Sequence, residues 1–239
     1  MTPRARANDL YAELIERYPR RFKGFVAVPL PHVDAALKEL ERGMDKLGMI
    51  GATIGTSVVA RSAAAEAFEP FYAELNRRAA PLFVHPGGRG MCSPLIEDYG
   101  LRWSIGAPLE DTMFMMHVIQ KRIPLRYPNI NIIVAHLGGA YPMLVNRLDS
   151  GARYVGEDPP SAIARRMWYD TVAQGNTNAL KCAHAVYGAD RLLHGSDYPW
   201  QLHEEYLDSV KYIQESRLPQ KDIDAILDHN AARMLGWEK

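Results

Sequence analysis

Short apolar segments alternate with longer amphipathic segments along most of this chain. Six runs are rich in apolar or β-branched residues and are bounded by turn residues, which is typical of buried strands. They span residues 24–30, 49–55, 81–86, 129–139, 166–172 and 190–197. Apolar residues recur at helical spacing in the segments between and after them, which predicts helices over 9–18, 33–47, 66–79, 110–123, 141–149, 178–187, 203–216 and 222–235.

The alternation of strands with helices predicts the fold class. Strands that follow one another through amphipathic helices indicate an α/β fold with a parallel sheet. Segment 87–107, which is interrupted by glycines and a proline, is expected to be a long loop. No linker of glycine, serine or proline divides the chain, so residues 1–239 are interpreted as one domain.

Composition narrows the range of partners. The 239 residues include 28 Lys plus Arg and 28 Asp plus Glu, and this balance gives no reason to expect nucleic acid or an anionic membrane. The two cysteines exclude a disulfide framework and a four-thiolate zinc site. The chain has no apolar run of membrane-spanning length, and its first residues lack the apolar segment of a secretory signal. We therefore expect a cytoplasmic protein.

Polar residues occupy the carboxyl ends of four predicted strands. His85 ends one strand, His136 ends the next, Asp170 lies near the end of a third, and Asp197 ends the last. In a parallel barrel these ends lie on one face, so residues far apart in sequence converge there. Two histidines and an aspartate suit a divalent metal that activates water.

Each of these residues also has a simpler interpretation. A single histidine such as His85 is more often a hydrogen-bonded polar residue than a metal ligand, and Asp197 can cap the following helix. Asp170 can orient a histidine or cap a turn. His194 lies three residues before Asp197 and is expected to point to the opposite side of the strand.

The helical stretch DTMFMMHVI (111–119) is rich in methionine and aromatic residues. Such a stretch is more often core or dimer surface than a cofactor site.

Five segments together resemble one enzyme family. They are FVHP (83–86), AHLGGAYP (135–142), NRLD (146–149), MWYDT (167–171) and HGSDYPW (194–200). Their order and spacing resemble the amidohydrolase-related family. The branch they resemble includes aminocarboxymuconate-semialdehyde decarboxylase and γ-resorcylate decarboxylase. The resemblance extends from about Asn8 to Trp237.

This resemblance implies a distorted (β/α)8 TIM-type barrel with a divalent metal at its mouth. It implies His85 as a metal ligand and Asp197 as a ligand that also bonds the metal-bound water. His136 becomes the general acid/base beside the metal. Zn²⁺ is the first choice of metal, and Mn²⁺ is the alternative.

The resemblance also implies a substrate and its contacts. The expected substrate is a small carboxylated aromatic or cyclic compound, with Arg147, Asp170 and Trp200 as candidate binding residues. Arg147 has an equal alternative as a helix-surface or intersubunit salt-bridge residue. Decarboxylation is the first hypothesis for the reaction, hydrolysis of a lactone or amide is the second, and a metal-free, inactive binding protein is the third. A homo-oligomer is expected.

The chain departs from the family at one point. The family places His-x-His or Glu-x-His at the end of its first strand, and neither pattern occurs in this sequence. Residues 4–30 resemble family sequence that precedes the third strand, so we expect six of the eight barrel strands here. An N-terminal truncation or misplaced start, a segment supplied by another chain, and a metal-free descendant are the three explanations. The first and last strands, 24–30 and 191–197, are expected to have unpaired edges that favour association.

Overall fold

A parallel sheet of six strands organises the protein. The computed structural model describes residues 3–151 and 158–237. The strands are Phe25–Ala27 (β1), Gly51–Gly55 (β2), Ser57–Val58 (β3), Arg61–Ser62 (β4), Leu82–His85 (β5), Ile132–Val134 (β6), Trp168–Asp170 (β7) and Leu192–Leu193 (β8). The sheet order is β1-β2-β5-β6-β7-β8, while β3 and β4 form a separate antiparallel hairpin. Six strands in sequence order, all parallel, confirm the α/β barrel-type fold class.

Helices follow the strands and cover the outside of the sheet. The α-helices are Pro3–Arg17 (α1), Val33–Asp45 (α2), Glu69–Arg77 (α3), Pro94–Glu97 (α4), Ala107–Gln120 (α5), Ile123–Arg126 (α6), Tyr141–Gly151 (α7), Pro160–Ala164 (α8), Thr177–Tyr187 (α9), His203–Gln214 (α10), Gln220–Asp224 (α11) and Asn230–Leu235 (α12). Arg102–Gly106 and Ala225–His229 are π-helical. No helix in the described ranges is long and apolar enough to cross a membrane.

Strand pleating divides the apolar residues between two layers. Ile132 and Val134 of β6 join the large core between the sheet and its helices, whereas Ile133 between them faces the other way. There Ile133 packs with Trp168 and Leu193 of the next two strands. Because side chains alternate along a strand, the side facing this second cluster is the interior of the barrel.

Two buried asparagines cover the two edges of the sheet. The Asn8 side chain on α1 accepts a hydrogen bond from the Ala27 N–H at 2.9 Å and donates to the Ala27 carbonyl at 3.2 Å. At the other edge, the Asn230 amide donates to the Leu192 carbonyl at 2.9 Å. The expectation of bare edges at the first and last strands is therefore wrong for these backbone groups, since side chains from the terminal helices satisfy them.

Segment 87–107 contains more structure than the expected loop. It holds a 3₁₀ turn at Gly90–Cys92, helix α4 and the π-helical turn Arg102–Gly106. Proline occupies the first or second position of five helices, α3, α4, α5, α6 and α8. Proline fixes a helical φ there and lacks only an N–H that would be unbonded in any case. Pro94, the single proline of segment 87–107, therefore begins helix α4 and does not mark a loop.

Candidate metal centre and its cavity

The same pleating brings the candidate ligands to the interior face. His85 lies two residues beyond Phe83 on β5, and the two rings lie 6.2 Å apart between centroids. Asp197 lies four residues beyond Leu193, which belongs to the interior cluster. His194 lies on the opposite face, where its Nε2 lies 3.1 Å from the Ser209 hydroxyl of α10. This confirms that His194 points away from Asp197.

His85, His136 and Asp197 converge at the carboxyl ends of their strands. Nε2 of His85 lies 3.6 Å from one Asp197 oxygen, and Nε2 of His136 lies 3.9 Å from the other. One ligand atom from each residue lies within 4.8 Å of the others, and this is the group of three metal-type ligands found in the described part of the chain. The structure therefore brings together the three residues proposed for metal binding and proton transfer.

Both His136 and Asp197 have left-handed backbone conformations, with φ of 52° and 55°. This region is unfavourable for residues with a Cβ atom, and such conformations concentrate at functional sites. His136 lies two residues beyond the end of β6 and Asp197 four residues beyond the end of β8, so both turns lie at the carboxyl ends of short strands.

The Gly138–Gly139 turn brings helix α5 close to the end of β6. A Cβ atom on Gly139 would lie 1.9 Å from the Pro108 carbonyl oxygen, and Gly139 has a φ of 66°. Only glycine fits so close an approach in this conformation. The first turn of α5 therefore lies directly against the turn that carries His136.

This approach places Asp111 of α5 beside His136. The Asp111 carboxylate accepts a hydrogen bond from His136 Nδ1 at 2.8 Å, and its side chain is fully buried. The bond fixes the ring and directs Nε2 toward Asp197. Sequence reasoning missed Asp111, although two adjacent acidic residues, Glu110 and Asp111, at the start of a largely apolar helix were a usable signal. Its neighbours Phe114 and Met115 are buried core residues.

The electrostatics of this pair favour a protonated histidine. Burial alone would lower the pKa of His136, but hydrogen bonds to Asp111 and Asp197 raise it to about 10. Burial raises the pKa of Asp111 to about 7, despite the opposing hydrogen bond with His136. Burial also opposes ionisation of Asp197, yet His136 and His85 outweigh it and hold the pKa of that carboxyl below its usual range.

Asp170 supports the turn and does not line the cavity. Its Oδ1 accepts hydrogen bonds from the His136 N–H at 2.8 Å and the Val172 N–H at 3.1 Å. The side chain is buried, and burial raises its pKa. This geometry fits the interpretation in which Asp170 orients the histidine, and its predicted contact with substrate stays a prediction.

A cavity of about 600 Å³ opens above the three residues. It is mainly apolar, and its outer wall includes Trp103 and Trp200, whose ring centroids lie 5.6 Å apart. Trp200 was expected here, whereas Trp103 was not singled out in the sequence. Arg147 lies exposed on α7 and does not belong to the lining, so its substrate role also stays a prediction.

The donor set fits a divalent metal. Nδ1 of His85 lies 3.0 Å from the Pro86 carbonyl, which can only accept, so this nitrogen carries the hydrogen and Nε2 presents its lone pair to the cluster. Two ligands of one tetrahedral zinc lie roughly 3.4 Å apart, close to the 3.6 Å between His85 and Asp197. An imidazole nitrogen and a carboxylate oxygen are both typical ligands of zinc and manganese, while His136 faces the same space as a proton donor.

Comparison with known proteins identifies the family to which the chain belongs. The profile of the amidohydrolase family matches residues 2–237, nearly the whole chain. The chain belongs to the amidohydrolase family. This confirms the resemblance seen in the five sequence segments.

Two curated relatives of the chain are decarboxylases. The chain is 26% identical to 2-amino-3-carboxymuconate-6-semialdehyde decarboxylase of Dictyostelium discoideum, over 97% of the chain and 66% of that protein. It is 30% identical to γ-resorcylate decarboxylase of Rhizobium radiobacter, over 82% of the chain and 65% of that protein. The chain thus spans just under two thirds of the length of these curated relatives.

A solved structure supports the fold. A dihydroxybenzoic acid decarboxylase from Polaromonas sp., with bound manganese and the inhibitor 2-nitroresorcinol, superposes with a TM-score of 0.87. The identity is 24%, and the match covers 99% of this chain and 75% of the other. The similarity establishes a shared fold.

Proposed function

We propose that this protein is a metal-dependent decarboxylase of a small aromatic carboxylic acid. The observation that carries the proposal is the convergence of His85, His136 and Asp197 at the base of an apolar cavity. Relatives that act on γ-resorcylate and on 6-methylsalicylic acid support this class of substrate, at 30% and 28% identity.

In this proposal His85 and Asp197 hold a divalent metal, Zn²⁺ or Mn²⁺. When bound, the metal would supply positive charge that anchors and polarises the substrate carboxylate. The cavity lining among the described residues contains no lysine or arginine. A carboxylate that enters the cavity therefore finds its positive partners at the base, which orients the acid group toward His136.

The proposed step needs one proton and releases one molecule of carbon dioxide. Nε2 of protonated His136 donates its proton to the ring carbon that carries the carboxylate. The bond between ring and carboxylate then breaks, its electron pair restores the aromatic ring, and CO₂ leaves. Asp111 holds the His136 ring in place through Nδ1 during the transfer.

The apolar walls of the cavity contribute in two ways. Leu137, Pro142 and Val172 offer surfaces for a flat ring, and Trp200 closes the outer side. Loss of CO₂ converts an anionic group into a neutral molecule, which a dry apolar cavity favours. These side chains therefore suit an aromatic acid, and the proposal assigns substrate packing to Trp200.

Carbon dioxide release tests the proposal. The protein is loaded with Mn²⁺ or Zn²⁺ and incubated with 2,6-dihydroxybenzoate or 6-methylsalicylate. We expect CO₂ release, and we expect His136→Gln to reduce the rate by about 10²–10⁴-fold because the proton donor is removed. His203→Gln is the matched control, since His203 is exposed on α10 and outside the cavity lining. Hydrolysis of lactones without CO₂ release from any aromatic acid would contradict the proposal.

The proposal also includes assembly into a cytoplasmic homo-oligomer. Large apolar side chains that are strongly exposed support association, among them Leu95, Tyr99 and Met143. Size-exclusion chromatography with light scattering measures the number of chains directly.

A further inference from the structure

A second chamber adjoins the main cavity on its outer side. It has a volume of about 400 Å³ and shares four lining residues with the main cavity, including Trp103 and Trp200. The two indole rings are inclined at 42° and lie at this shared boundary. A ligand that extends past the two tryptophans from the metal cluster therefore enters the outer chamber.

The outer chamber is acidic. Glu205 and Asp208 line it from one face of α10, three residues apart, and no lysine, arginine or histidine of the described residues joins them there. Lys211 lies three residues beyond Asp208 on the same helix, but it does not line the chamber, so the two acidic groups are the charged side chains of this wall. Glu205 complements the dipole of the helix from its first turn, but Asp208 lies beyond that turn.

A buried amide without a partner faces the same chamber. Gln201 lines the chamber and is only 6% exposed. Its side chain makes no hydrogen bond or ion pair with any residue in the described ranges of the chain. Its amide atoms are not among the fully buried unpaired polar atoms of the described residues, so they stay open to the chamber and can bind a polar group of a ligand there.

We propose that the outer chamber binds the ammonium group of an organic ligand. The indole faces attract a cation through their π electrons, and Glu205 and Asp208 supply charge. The Gln201 carbonyl oxygen can accept an N–H. The inference rests on the proposed function for one consequence: preferred substrates are aromatic acids that carry a positively charged amine on the side opposite the carboxylate.

An organic ammonium fits the chamber better than a metal ion. Aromatic walls favour weakly hydrated organic cations, whereas hard cations need several oxygen ligands arranged around them. Among the described residues, Glu205 and Asp208 belong to no group of three metal-type ligands. A divalent cation is therefore an outcome that would contradict the proposal.

The first test uses a cation without a carboxylate. Benzyltrimethylammonium and its uncharged isostere neopentylbenzene are titrated into the protein while tryptophan fluorescence is recorded. We expect the cation to bind at least tenfold more tightly than the isostere, and Glu205→Gln with Asp208→Asn to remove the difference. Glu204→Gln is the matched control, because Glu204 lies in the first turn of the same helix but does not line the chamber. Equal binding of cation and isostere would overturn the proposal, as would Mg²⁺ binding that depends on Glu205 and Asp208 and displaces the cation.

The second test joins the chamber to the metal cluster. The affinities of 4-(2-aminoethyl)benzoate and 4-propylbenzoate, which have nearly the same length, are compared in protein loaded with Mn²⁺. We expect about a tenfold preference for the amine, lost in the double variant and kept in Glu204→Gln. If the cation binds in the first test but no aromatic acid is decarboxylated, the proposed function is wrong and the assignment of the chamber to an ammonium group is kept. If acids are decarboxylated without preference for the amine, the chamber assignment fails and the function stands.

Discussion

His136 depends on three neighbours that come from three different elements. Asp111 holds its Nδ1, Asp170 holds its backbone N–H, and Asp197 faces its Nε2. Burial would expel a proton from such a ring, and these carboxylates reverse that tendency. The chemistry assigned to His136 is therefore a property of the group and not of the histidine alone.

Replacing Asp111 by asparagine tests this dependence. The amide oxygen can still accept the hydrogen bond from Nδ1, but the charge that stabilises protonated His136 is gone. We expect Asp111→Asn to lower kcat for CO₂ release by about tenfold to a hundredfold with little change in KM. The melting temperature of Asp111→Asn should lie within a few degrees of that of the control variant Asp98→Asn. Asp98 is an exposed aspartate of segment 87–107. An unchanged kcat would show that Asp111 serves the fold alone.

His194 provides a prediction about stability and pH. Burial lowers its pKa from the ordinary value of 6.5, so the folded state favours the neutral ring. The unfolded chain takes up a proton below about pH 6.5 and the folded chain does so only at lower pH. Stability contributed by neutral His194 is complete above pH 6.5 and declines as pH falls below it. Urea unfolding of His194→Gln should show a flatter decline than wild type between pH 6.5 and 5, and equal slopes would contradict the assignment.

The individual residues also show how much of the site could be predicted from the sequence. His85, His136 and Asp197 could be predicted as site residues because they end strands. The alternation of side chains along a strand and the parallel topology of the sheet determine where such residues point. Asp111 lies on a helix far from any strand end, so its role depends on the exact approach of α5 to β6. That approach depends on how the two elements pack, and the hydrophobic pattern of the sequence does not predict this packing distance.

At the scale of elements, the Gly138–Gly139 turn controls the distance between α5 and β6. A methyl group at position 139 would collide with backbone and would also strain a left-handed residue. We expect Gly139→Ala to lower the free energy of unfolding by about 2–4 kcal/mol and to reduce activity by displacing Asp111 from His136. Urea denaturation measures the first effect.

Gly151→Ala is the control for this substitution. Outside its own helix, no heavy atom of the described residues lies within 4 Å of the place where its Cβ would stand. We expect this variant to keep the wild-type free energy of unfolding within about 0.5 kcal/mol, or to gain slightly from the better helix former. Similar losses in both variants would show that the Gly139 contact does not determine the packing.

Elements with a strong hydrophobic period were predictable, and short ones were not. Each of the six predicted strands contains an observed strand, and the long helices such as α2 and α9 lie where the apolar pattern predicted them. The observed strands are shorter than predicted: the segment 190–197, for example, contains only Leu192–Leu193 as strand. The hairpin of β3 and β4 has two residues per strand, and α4 has four residues, too few to show any period. The predicted final helix also divides into α11, a π-helical turn and α12, since local hydrogen bonding decides such breaks.

At the scale of the whole molecule, the parallel sheet brings residues that are far apart in the sequence into contact. His85 and Asp197 are separated by 112 positions in the chain, yet their side chains lie 3.6 Å apart. The alternating pattern was sufficient to predict this convergence, because all strand ends of a parallel sheet meet on one face. The outer chamber was beyond prediction, because it depends on where α10 and segment 87–107 pack against each other.

The central claim is that His85, His136 and Asp197 form a centre for a divalent metal. Equilibrium dialysis against Mn²⁺, followed by metal analysis of wild type and Asp197→Asn, tests it most directly. We expect about one Mn²⁺ per chain in wild type and at least a tenfold weaker affinity in Asp197→Asn, with Asp98→Asn equal to wild type. Wild type without bound Mn²⁺ or Zn²⁺, or binding that Asp197→Asn leaves unchanged, would contradict the account.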